Sequence, residues 1–419
     1  MTSSAPTPPA HPDHPAPGTA PDLTPDSAHV IADDAEALAV AAALADAFRP
    51  GAAERDARRR LPREELGRLS ASGLLGITVP RAHGGADVTA GTLAEVFRLL
   101  ATADPSIAQI PQSHFVYVNV LRARGSAGQQ EFFFREVLAG RRFGNAQAEA
   151  GTRHAQDIRT RLEPDGIGGH VLTGTKHYST GALFAHWIPV LARGAEDKLY
   201  VAYVPRGAPG MMVVDDWDGM GQRTTASGTV RLEGVVVPAD HVVPHHLTFE
   251  GPQLHGAFAQ LLHAAIDSGI ARAALAEAAR FVRTKSRPWF ESDSETAAED
   301  PLLVQRFGAL ELRVRAARAL LEAAARAVET ATARLTDDTA AEASIAVAAA
   351  KAYAAETAVD TGSALFEVAG TRAALDELNL HRHWRDARTH TLHDPVRWKV
   401  QHLGRYVLNG TRPPRHGLL

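Results

Sequence analysis

The chain has 419 residues, 45% apolar and 22% charged, with a formal net charge of -4 and no basic run. That balance makes nucleic acid and anionic membrane surfaces poor partners. It contains no cysteine, which excludes disulfides, thiolate metal sites and a cysteine nucleophile, and fits a reducing, cytoplasmic setting. No apolar run approaches the roughly 18 residues of a membrane span, and the N-terminus lacks the layout of a secretion signal.

Residues 1–25 hold eight of the 25 prolines. Such a stretch buries too little apolar surface to offset its ordering entropy, so a disordered tail is expected over 1–30. A helical domain is expected over 31–141. There Leu66, Leu69, Leu74 and Leu75 precede a Gly-rich turn, and Leu93, Val96, Phe97 and Leu100 mark one helix face. Asp104-Pro105 closes that helix and opens the next.

Over 142–246 the pattern turns to short β-rich runs, His170–Thr173, Trp187–Ala192, Leu199–Val204, Met211–Val214 and Val230–Val237, punctuated by Gly and Pro. Several are apolar on both faces, which predicts a small packed sheet or barrel. Over 247–419 the chain is helical and Ala-rich. Leu303, Phe307, Leu310, Val314, Ala317 and Leu321 step by four and three, the seam of a bundle helix, and a second long helix is expected from Thr339 to Val368. The class is therefore α+β: helices, a β block, then a four-helix bundle.

Three strings carry a family resemblance. Gly174-Thr175-Lys176-His177-Tyr178-Ser179-Thr180-Gly181, then Gly219-Met220-Gly221-Gln222-Arg223 with Val235-Val236-Val237-Pro238, then Arg385-Asp386-Ala387-Arg388, stand in the order and spacing of the acyl-CoA dehydrogenase superfamily. Within it the chain most resembles the reduced-flavin monooxygenases of organosulfur metabolism. The carrying residues are Gly144–Glu149, Ser286-Arg287-Pro288-Trp289 and Arg388-Thr389-His390-Thr391-Leu392-His393-Asp394-Pro395.

A dehydrogenase of this fold needs a carboxylate to take the α-proton of an acyl thioester. Nine residues after Arg385 stands Asp394, one methylene shorter than the family's glutamate. A shortfall near 1 Å costs on the order of a hundredfold in rate. A monooxygenase needs hydrogen-bonding groups around the flavin where a C4a-hydroperoxide forms, in a dry site. The resemblance implies that His393 and Thr180, with Ser179, do that work. His393 could instead cap a helix carbonyl. His114 either faces the same cavity or is a core histidine bonded to a carbonyl. No third ligand accompanies His390 and His393 at metal spacing, so no metal is expected.

The resemblance also implies that Asn145, Tyr178, Trp217 and Ser227 line the isoalloxazine, although Trp217 could be a sheet-edge aromatic and Ser227 a turn residue. Arg287 and Arg372 could clamp a terminal phosphate, which suits reduced FMN better than FAD; the alternative for both is surface ion pairing. With no dinucleotide fingerprint, reduced flavin would come from a separate reductase. A small organosulfur or related apolar substrate, molecular oxygen and a homotetramer complete the expectation. Two alternatives stand beside it: an FAD-dependent acyl-CoA dehydrogenase with Asp394 as base, and a non-catalytic binding protein.

Overall fold

The computed structural model describes residues 28–419; most of the proline-rich tail read from the sequence lies outside the described residues. Seven helices come first: α1 (Asp34–Phe48), α2 (Ala52–Arg58), α3 (Arg63–Ala71), α4 (Ala90–Ala103), α5 (Pro105–Gln109), α6 (Gln112–Arg124) and α7 (Ala127–Leu138). The Asp104-Pro105 junction behaves as its chemistry dictates. Asp104 accepts from the backbone N–H groups of Ser106 and Ile107, and Pro105 takes the first turn of α5, where a missing N–H costs nothing.

Seven strands follow: β1 (Arg161–Pro164), β2 (Gly169–Lys176), β3 (Trp187–Arg193), β4 (Leu199–Pro205), β5 (Met211–Val214), β6 (Thr229–Pro238) and β7 (Val242–Val243). They form one mixed sheet in the order β5-β6-β2-β1-β3-β4-β7. Only the β1–β3 pair is parallel. The five runs read from the sequence fall inside β2 to β6. The other two strands carry little signal: β1 buries only Leu162, and β7 has two residues.

Five helices complete the chain: α8 (His255–Lys285), α9 (Pro301–Ala333), α10 (Asp337–Ala369), α11 (Arg382–His390) and α12 (Val396–Asn409). On α9 the seam residues Leu310, Val314, Ala317 and Leu321 are buried. Capping side chains start both long helices, Asp300 for α9 and Thr336 for α10. Small residues let helices approach closely: a Cβ on Gly269 of α8 would lie 2.6 Å from the Arg98 carbonyl of α4. One apolar cluster runs from the N-terminal helices into the bundle, so the two helical blocks pack on each other as rigid walls. Among the described residues no helix is long and apolar enough to cross a membrane.

Candidate active site

Five segments bring polar side chains to one place inside this apolar packing. His263 and Asp267 stand four residues apart on α8 and so share a face. Asp267 Oδ2 accepts from Lys351 Nζ of α10 at 2.9 Å, and its Oδ1 lies 2.5 Å from His390 Nδ1 at the end of α11. His390 Nε2 lies 3.0 Å from His263 Nδ1 and 3.2 Å from Gln109 Oε1, the last residue of α5. Gln109 Nε2 in turn lies 3.1 Å from His393 Nε2. Lys351 and Asp267 have no exposed side-chain surface.

Burial and partners set the charges. Burial alone would raise the Asp267 carboxyl, but His390 and Lys351 outweigh it and hold the acid at about 2. Desolvation pushes His263 well below its ordinary value, with His393, Lys351, His390 and Lys399 adding repulsion. His393 is also lowered, first by desolvation and then by His390. His393 is nevertheless an exposed residue, and water around it works against the shift.

Helix α11 ends at His390, and His393 sits in the turn beyond. His393 Nδ1 lies 2.7 Å from the His390 carbonyl. A carbonyl only accepts, so His393 bears its proton on Nδ1 and turns the Nε2 lone pair to the Gln109 amide. The helix-capping role open to this residue in the sequence is therefore present, in a ring that also belongs to the cluster.

The second half of the site comes from the loops between strands. Thr180 Oγ1 lies 2.7 Å from Ser227 Oγ, which lies 2.8 Å from Thr225 Oγ1, and Thr225 donates to the Gln222 carbonyl at 3.0 Å. The order of donors follows. Thr225 spends its proton on the carbonyl, Ser227 must then donate to Thr225, and Thr180 must donate to Ser227. Thr180 is left with lone pairs for anything outside the chain. Nearby, Ser179 Oγ is buried without a partner, as is Asn145 Oδ1. Tyr178 takes a left-handed φ of +54° and is 60% exposed, with its ring edge-on to Trp217 at 6.4 Å. Unpaired buried oxygens cost about 1–3 kcal/mol each, and strained backbone clusters at ligand sites.

The two halves are joined by strings that are far apart in the sequence. Arg385 donates to the Met220 carbonyl at 2.6 Å, and the Gln222 N–H donates to Asp386 at 2.6 Å. A Cβ on Gly221 would lie 2.1 Å from the Arg385 carbonyl, so the loop can seat on α11 only with glycine there.

This architecture has known counterparts. Family models of the acyl-CoA dehydrogenase N-terminal, middle and C-terminal domains match residues 34–141, 143–235 and 261–398. Dibenzothiophene monooxygenase of Rhodococcus erythropolis is 33% identical over 93% of this chain and 98% of its own length. The chain belongs to the acyl-CoA dehydrogenase family. The similarity runs through the family's monooxygenases. A probable FMNH2-dependent monooxygenase, SfnC, of Pseudomonas putida is 34% identical over 90% of this chain and 96% of its own. FMN-bound TdsC from Paenibacillus sp. A11-2 superposes with a TM-score of 0.87 at 31% identity, over 91% of this chain and 100% of that one.

The structure gives four further expected site residues the following surroundings. His114 is buried: its Nε2 lies 2.9 Å from the Leu75 carbonyl, and its Nδ1 accepts from the Phe143 N–H at 3.0 Å. Desolvation holds it at about 4. Both nitrogens are spent on backbone, as the core reading requires, while the ring also borders a small cavity with Ile110, Pro111 and Gly181. Asp394 is buried and faces Lys399 Nζ at 3.4 Å, with neither oxygen accepting a hydrogen bond. Arg372 donates to the Lys285 carbonyl at 3.1 Å, and Arg287 is exposed beside it in the chain. Along α8, 22 residues at about 1.5 Å each separate His263 from Lys285, roughly 33 Å. These arginines therefore stand far from the histidine cluster of their own chain.

His263, Asp267, Lys351 and Gln109 were not visible as site residues in the sequence. His263 also supplies the third imidazole that a metal would need: three ring nitrogens lie within 4.8 Å of one another. The Gln109 amide between two of the rings, and Lys351 and Lys399 nearby, weigh against a cation.

Proposed function

We propose that this chain is a monooxygenase that receives reduced FMN from a separate reductase and transfers one atom of dioxygen to a small, apolar organosulfur substrate. The names of its similar proteins support the cofactor and the chemistry, and the donor order in the hydroxyl chain carries the reading. Thr180 is an acceptor toward the cavity, and reduced flavin, unlike oxidised flavin, offers an N–H at its central ring. Such a pairing favours the reduced form. Asn145 and Ser179 bring two unpartnered oxygens to a ligand with ring N–H groups, and Tyr178 and Trp217 offer an aromatic wall. When bound, reduced FMN supplies the two electrons by which dioxygen and substrate become oxidised substrate and water.

The protein's own residues do the rest. His393 presents its open edge to the cavity, and its Nε2 can exchange the Gln109 amide for an oxygen atom. The apolar helices around His263, Asp267 and His390 keep these three side chains out of bulk water, which strengthens the bonds among them. Arg287 and Arg372, with exposed Trp289 and Phe290 beside them, suit a contact in which a second copy brings them to a flavin phosphate, in a homotetramer. We place the protein in the reducing cytoplasm, with which a chain of no cysteine is compatible.

The test is anaerobic loading with reduced FMN, then mixing with 18O2 and a panel of thiophenes, sulfones and sulfinates. One 18O in the product is expected, with no NADH consumed by the isolated protein. Peroxide alone across the panel, or rapid NADH oxidation without a reductase, would overturn the proposal.

A further inference from the structure

We infer that His263 is the outer end of a buried proton relay, His263–His390–Asp267, through which a proton taken up or released at His263 Nε2 changes the charge on His390. The inference rests on the monooxygenase reading for its purpose, though not for its geometry.

Each ring is wired through opposite nitrogens. His390 meets Asp267 through Nδ1 at 2.5 Å and His263 through Nε2 at 3.0 Å. His263 uses Nδ1 for His390, while its Nε2 has no protein partner among the described residues and is not among the fully buried unpaired atoms. It is therefore the open nitrogen of the cluster, because both nitrogens of His393 are engaged, with the His390 carbonyl and Gln109.

Proton accounting gives two balanced states. In the first, His390 holds a proton on Nδ1 for Asp267, and His263 donates from Nδ1 to His390 Nε2, leaving its own Nε2 a lone pair. A proton added at His263 Nε2 lets the Nδ1 proton pass to His390 Nε2. His263 is neutral again, and the positive charge lies on His390 against the Asp267 carboxylate. Gln109 Oε1, 3.2 Å from His390 Nε2, accepts in this second state. Nothing is oxidised or reduced, and release reverses the steps.

The charged groups facing His263 explain why charge should move on. Desolvation first, and then His393, Lys351, His390 and Lys399, disfavour a cation on His263. Burial and Lys351 lower His390 too, but there the Asp267 carboxylate 2.5 Å from Nδ1 works in the opposite direction. In turnover, His263 Nε2–H would supply a proton to the oxygen atom that leaves as water.

The flavin-free protein gives the first test. Diethyl pyrocarbonate, with adducts mapped by peptide mass spectrometry across pH, should modify His263 several-fold faster than His393. In His390→Gln, which keeps a donor for Asp267, the pH midpoint for His263 should fall by about one unit or more, since charge can no longer pass inward. An unreactive His263, or an unmoved midpoint, overturns the relay whatever the enzyme oxidises. With reduced FMN and reductase, His263→Asn should lower turnover on the order of a hundredfold, alter the pH profile and recover partly with free imidazole. Unchanged turnover also overturns the relay, whereas wild-type protein yielding peroxide alone overturns the monooxygenase reading and leaves the modification result standing. If His390→Gln does not fold, the modification order in wild type and the His263→Asn profile decide.

Discussion

The backbone N–H of Gln222 donates to Asp386 at 2.6 Å across 164 residues of sequence. This bond seats the loop that carries Trp217 and the hydroxyl chain on the helix that carries His390. Burial first, and then the nearby Asp56 carboxylate, raise the Asp386 carboxyl to about 7. An acid with a higher pKa folded than unfolded holds its proton more tightly when folded. Its stabilising share is complete below the unfolded value of 3.8 and is lost as pH rises toward 7. Asp386→Asn keeps an acceptor for Gln222 and removes this loss. Denaturant unfolding should show the variant gaining on wild type between about pH 4 and pH 7. A constant or shrinking difference would contradict the assignment.

His393→Ala leaves the flavin-facing loops intact and removes the ring at the cavity edge. Flavin binding should change little, while product per reduced FMN falls on the order of a hundredfold and hydrogen peroxide rises. Paired assays of sulfoxidised product and peroxide check this. Unchanged coupling would remove His393 from the mechanism.

Thr225→Val tests the donor order without touching Thr180. Ser227, freed from donating to Thr225, can donate to Thr180, which can then donate outward. The preference for reduced over oxidised FMN should drop about fivefold, the worth of one neutral hydrogen bond near 1 kcal/mol. Anaerobic and aerobic titrations of tryptophan fluorescence give the ratio. A ratio equal to wild type counts against Thr180 as an outward acceptor.

Asp394→Asn separates structure from base catalysis. Lys399 would lose the carboxylate beside it, in a pair whose side chains are 4% and 5% exposed. Removing one member of a buried pair costs about 3 kcal/mol, readable by denaturant unfolding. Acyl-CoA thioesters should leave oxidised flavin unbleached under anaerobic conditions in both proteins. Bleaching in wild type that Asn abolishes would favour a dehydrogenase.

The helices and strands were legible because their signals are local. The spacing from Leu310 to Leu321 repeats every three or four residues, and Asp104-Pro105 caps and starts a helix from its own side chains. The strings around Tyr178, Gly221 and Arg385 carried the resemblance, though not the fact that the last two touch. His263, Asp267 and Lys351 did leave one trace: polar residues on the buried faces of Ala-rich helices, where an unpaired polar group is costly and so implies partners. A systematic search for such residues would have found them.

Sequence alone settled the block order, the long helices, five of the seven strands and the family. Each depends on neighbours a few residues apart or on a contiguous string. Only the folded chain decided that His114 belongs to the backbone, that Asp394 turns to Lys399, and that His390 gathers Gln109, His263 and Asp267 around it. These partners stand up to 281 residues apart. A hydrogen bond reaches about 3 Å, and proximity at that scale comes from how helices and loops pack, which no local pattern encodes.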